Sequence, residues 1–254
     1  MAAKKNDPKR EARIAKNNRN LNSALTLFTA GFVAEFYLLL IQQYFIKGTV
    51  NQVVAVSYYL DAMIWIGTAV LAAGIVLTAM RRKWTRYAGL GRWLLGLGLF
   101  FALSSLLMRR VYPLGTTAMC IIVPVLMLLS VVFLLYQREF AVQAAGLALT
   151  ITAAVLLNHG SATKATLVSA ISIVALLVVA ALLIGTLLLR EKEGRYKEML
   201  VFPARTNYAL TCAVLALCIA AIAAALFAGF AYYVIWGASV ALFLLAVWYT
   251  VKLL

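Results

Sequence analysis

Residues 165–189 read ATLVSAISIVALLVVAALLIGTLLL, an apolar run with no charge and no proline. As a helix it measures ~37 Å, enough to cross the ~30 Å hydrocarbon core of a bilayer. Predominantly apolar runs recur outward from it at 21–46, 50–80, 88–108, 114–137, 140–157, 207–229 and 231–251, four of them carrying a lone charge or a proline. The last two are read as separate helices broken near Gly229, because one helix over 207–251 would measure ~67 Å. The expected fold is therefore an all-α, polytopic integral membrane bundle of about eight transmembrane helices. A basic arm at 1–20 precedes a single membrane domain at 21–254.

Composition supports the same reading. Of 254 residues, 65% are hydrophobic and 12% charged, whereas a soluble domain is roughly 45–50% apolar. That excludes a soluble globule. The net charge of +15 comes from 23 Lys and Arg against eight Asp and Glu. In a soluble protein this balance would suggest nucleic acid. Here the basic residues cluster between apolar runs, which points to topology instead, and no nucleic-acid partner is expected.

With the N terminus inside, only Lys47, Arg109, Arg110 and Lys164 of the 23 fall outside. This asymmetry predicts that both termini are cytoplasmic, and a bacterial plasma membrane is the expected location. Anionic lipid headgroups are the expected partners of the basic loops and arm. A protein partner or a second copy of the chain is also compatible with those loops. Tyr44, Tyr58, Tyr59, Trp236, Trp248 and Tyr249 are read as interface anchors.

Two acidic residues fall inside apolar runs, Glu35 in the first and Asp61 in the second. Ionisable groups within a span usually face a bundle interior or a water-filled cavity, and they mark candidate sites. In a hairpin turning near Gly48 both acids stand 13 positions from the turn, so they share one depth. The helical face of Asp61 adds Ser57, Tyr58 and Thr68; that of Glu35 adds Gly31, Phe32 and Gln42. No lysine or arginine is expected at their depth. Two such carboxyls could share a proton or hold a cation. The competing reading makes them hydrogen-bonded glue between helices.

The function this implies is a small carrier or channel for a small solute or cation, with Glu35, Asp61, Ser57, Tyr58, Thr68 and Gln42 as binding residues. The alternative is a non-catalytic membrane subunit that anchors partners through its basic loops. Enzymatic chemistry is not expected. Gly237-Ala238-Ser239-Val240-Ala241 only loosely resembles a nucleophilic-serine turn, and the single histidine, His159, lies in another segment. No phosphate-binding glycine motif occurs, and no cofactor is expected. The glycines of YAGLGRWLLGLG at 87–98 are read as close-packing positions. Cys120, Cys212 and Cys218 sit in apolar runs and define no disulfide framework.

Other features have plainer readings. Pro124 interrupts the fourth run and is tolerated in spanning helices. Thr166, Ser169 and Ser172 form a hydroxyl stripe whose usual role is bonding within or between helices. The alanine-rich seventh run is expected to be a central packing helix. Finally, Arg81–Tyr87 and Arg190–Tyr196 share R-x-K-x-x-R-Y, which would fit a parallel repeat of 21–137 and 138–254. The same offset carries both acids onto alanines, Ala144 and Ala170.

Overall fold

The apolar runs become helices because a bilayer offers no partner for a free backbone N–H or C=O. The computed structural model describes residues 8–80, 88–159, 165–191, 195–196, 199–200 and 207–253. In chain order its helices are α1 (Pro8–Ile46), α2 (Val50–Ala79), α3 (Ala88–Arg110), α4 (Leu114–Leu135), α5 (Arg138–His159), α6 (Ala165–Glu191), α7 (Tyr208–Phe227) and α8 (Ala231–Leu253). All eight are long and apolar enough to cross a membrane. A short antiparallel ribbon, β1 (Arg195–Tyr196) with β2 (Met199–Leu200), lies between α6 and α7. Gly229, at φ 71°, makes the break expected between the last two helices, a conformation that glycine adopts without the Cβ clash. The segments 81–87 and 192–194, which carry most of the shared R-x-K-x-x-R-Y pattern, lie outside the described residues.

Packing divides the chain into two units. In the unit Val33–Val123, α2 and α3 lie together over most of their length. Glycines permit this. A side chain on Gly67 would meet the backbone of Ala102, one on Gly74 that of Leu95, and one on Gly98 that of Leu71. Gly98 therefore packs as expected, as does Gly91 against Leu77, whereas Gly89 and Gly96 face open space. Leu38, Ile41, Phe45, Leu60, Met108 and Met119 form the buried core of this unit.

The other unit joins the segment ending at Phe32 to Pro124–Leu254. Its hub is α5, not α7 as the alanine content suggests. In α5 61% of the spanning window is buried, against 28% in α7 and less in every other helix. Contacts with α6, α7 and α8 surround it. Leu147, Val179, Leu215, Cys218 and Ile222 make the apolar core there. Its small residues, including Ala144, Gly146, Ala153 and Ala154, admit neighbours on several sides at once. Gly31 of α1 packs against Met127 of α4 in the same unit.

Candidate functional site

Asp61 is not free of cationic partners. Arg109 Nε donates to its Oδ1 at 2.9 Å, with both side chains nearly half exposed. The glycine contacts explain the meeting. They set an antiparallel register pairing Gly67 with Ala102 and Leu71 with Gly98, and the same register carried further brings Asp61 beside Arg109. Reading each helix alone hides this, because Arg109 ends α3 while Asp61 lies ~16 Å into α2. From Asp61 to Ala79 the helix covers ~28 Å, close to a bilayer core by itself. The first turns of α2 thus extend past the end of α3.

The other residues expected around Asp61 have local roles. Ser57 Oγ donates to the Val54 carbonyl at 2.7 Å and Thr68 Oγ1 to that of Trp65 at 2.8 Å. Tyr58 is exposed. Gln42 borders a cavity of about 610 Å³ near the α1–α2 turn, together with Gln43, Tyr44, Lys47 and Gln52.

Glu35 has a different environment. One carboxylate oxygen, Oε2, is buried without a hydrogen-bond partner, and the Cys120 thiol lies within electrostatic reach of the carboxyl. Three more orphaned hydroxyls are buried in the same unit, Tyr37 on α1, Ser105 on α3 and Thr116 on α4. The Tyr37 hydroxyl comes towards Tyr59 without closing a hydrogen bond, and its ring stands edge-on to Phe101 at 5.5 Å. Ser105 is one turn from Phe101, and Thr116 one turn from Cys120. Three helices therefore contribute unpartnered polar groups to the interior of this unit.

The second unit holds a polar cluster that sequence reading missed. Glu139, in the first turn of α5, is 1% exposed. Its Oε1 accepts from the Tyr249 hydroxyl at 2.5 Å and from the Asn207 backbone N–H at 3.2 Å. Gln143, one turn further along α5, donates from Nε2 to Thr211 Oγ1 at 2.8 Å and to the Tyr249 hydroxyl at 3.1 Å. Tyr249 is thus a buried tether between α8 and α5, not the interface anchor expected from its position beside Trp248. Trp248 and Trp236 are exposed. Asn207 also caps α7, accepting from Leu210 N–H at 3.2 Å.

Two further features are apolar or local. A groove of about 190 Å³ runs between α5, α7 and α8, bordered by Leu147, Thr150, Cys218, Val234 and Gly237. In the hydroxyl stripe of α6, Ser172 is buried and donates to the Val168 carbonyl at 2.9 Å. Among the described residues no three of His, Cys, Asp or Glu gather as a metal centre.

No protein-family description, curated protein or solved structure matches the chain. Its architecture is that of an integral membrane protein, with eight candidate spans among the described residues.

Proposed function

We propose that the chain is a small membrane carrier or channel for a small solute or cation, with Glu35 as its principal interior group. The observation that carries this reading is the set of orphaned polar atoms on Glu35, Tyr37, Ser105 and Thr116. Buried polar groups are normally hydrogen-bonded, and leaving one unpaired costs about 1–3 kcal/mol. Water or a passing solute supplies the missing partners in a conducting interior; a purely structural bundle gains nothing from leaving them bare. Asp61, paired with Arg109, then acts as a charged rim where α3 ends, and Gln42 lies further out. In this reading the basic loops face the cytoplasm of a bacterial plasma membrane and meet anionic lipid there. No enzymatic step is assigned.

The test exploits Cys120, whose thiol lies within electrostatic reach of Glu35. In a chain with Cys212→Ser and Cys218→Ala, Cys120 is the one remaining thiol. In native-like vesicles it is expected to react with a small, charged methanethiosulfonate reagent, and Glu35→Gln is expected to change the rate of that reaction severalfold. A Cys120 thiol inert to the charged reagent yet reactive to a lipid-soluble maleimide would show a dry interior. That result would overturn the carrier reading in favour of the anchoring subunit.

A further inference from the structure

Among the described residues, the side-chain hydrogen bonds around Glu139 leave two acceptors bare. Tyr249 gives its hydroxyl proton to Glu139 Oε1. Thr211 gives its own to the Asn207 carbonyl at 3.3 Å. Both hydroxyl oxygens must then receive, which fixes the Gln143 amide with its two N–H groups towards them. The amide oxygen Oε1 is thereby turned away, and it has no partner. Glu139 Oε2 has none either. These two oxygens belong to side chains one turn apart on α5, bridged by the same phenol, and both residues are at most 1% exposed.

Among the described residues neither oxygen has a hydrogen-bond donor. Lys252 Nζ stands over the Tyr249 ring, 5.5 Å from its centroid, and bonds to neither oxygen. Two bare acceptor oxygens, one of them on a carboxylate, are a place for a small cation. All its ligand atoms are oxygens, the donor type that suits hard cations over soft ones. A single carboxylate balances a single charge, whereas a divalent ion would leave one uncompensated charge in a dry site.

We propose that Glu139 and Gln143 bind one monovalent alkali cation, with Glu139 Oε2 and Gln143 Oε1 as ligands and the ion held where α5, α7 and α8 meet. The site is separate from Glu35, and occupancy here ties the start of α5 to its neighbours whether or not anything is transported.

Equilibrium binding to the full chain in lipid nanodiscs decides the matter without any flux measurement. With ²²Na⁺ and ⁸⁶Rb⁺ as probes, the wild-type chain is expected to bind one of the two saturably at one ion per chain. Glu139→Gln, which keeps the shape and removes the charge, is expected to weaken binding at least tenfold. Gln143→Leu, which keeps the charge, is expected to weaken it severalfold, and the exposed Glu191→Gln should leave it unchanged. Absence of saturable binding of either ion to the wild-type chain would overturn the proposal, whatever the variants do. So would equal binding by a folded Glu139→Gln chain.

Discussion

Arg109 and Asp61, 48 positions apart, are joined by a single hydrogen-bonded ion pair at the end of α3. Both side chains are nearly half exposed, at 44% and 45%, so most of the attraction is screened. A double-mutant cycle with Asp61→Asn and Arg109→Gln should therefore return a coupling of only about 0.2–1 kcal/mol. Denaturant unfolding in micelles would measure it. A coupling several times larger would mean that the pair is shielded from water in the assembled membrane protein.

The glycine contacts between α2 and α3 should be far less forgiving. A Cβ at Gly67 would stand 2.9 Å from Ala102 Cα, and backbone cannot move aside as a flexible side chain can. Gly67→Val is expected to cost about 1–3 kcal/mol or to separate the helices. Gly96→Ala, with nothing within 4 Å, should be close to neutral. Thermal unfolding of the two variants gives the comparison.

Removing one oxygen from Tyr249 tests the buried cluster. Tyr249→Phe deletes the donor to Glu139 and an acceptor of Gln143, and about 1.5–3 kcal/mol of stability should go with it. Tyr136→Phe, which loses only an exposed bond to Thr250 at 3.1 Å, should lose well under half as much. Equal losses would show that the cluster is open to water.

Orientation follows from the distribution of lysine and arginine. Reporters fused after residues 86 and 195 are expected to read cytoplasmic, and those after 48, 111 and 161 external. An external signal at 195 would contradict the placement of both termini inside.

The spans were legible because each is a long run that is apolar but for at most one charge, and the break at Gly229 because a helix twice the needed length has no place in a bilayer. Of the glycines at 87–98, Gly91 and Gly98 are packing positions as expected but Gly89 and Gly96 are not, because composition does not tell which face of a helix meets a neighbour. Partners across helices were not. Arg109 meets Asp61 only through the register set by Gly67, Gly74 and Gly98, and a register between two helices is a property of neither alone. Glu139 was hidden by its place beside Arg138 at the end of a run, where an acid reads as loop. Tyr249 was misread through Trp248: adjacent residues on a helix point about 100° apart, so one meets lipid and the other the core. Alanine content favoured α7 as the hub, but centrality depends on how many neighbours surround a helix, which composition does not record. The orphaned oxygens of Glu35 and Gln143 are an outcome of packing, and no sequence pattern announces them.

The bond between Glu139 and Tyr249 spans 110 positions, and this separation sets a clock. A ribosome adding about 5–20 residues per second needs on the order of ten seconds to pass from one to the other. During that interval the carboxyl on α5 lacks the phenol that will hold it, because α8 has yet to be made. A chain cut short anywhere before Tyr249 never leaves that condition. The start of α5 thus reaches its folded surroundings only once α8 has been made and has packed beside it.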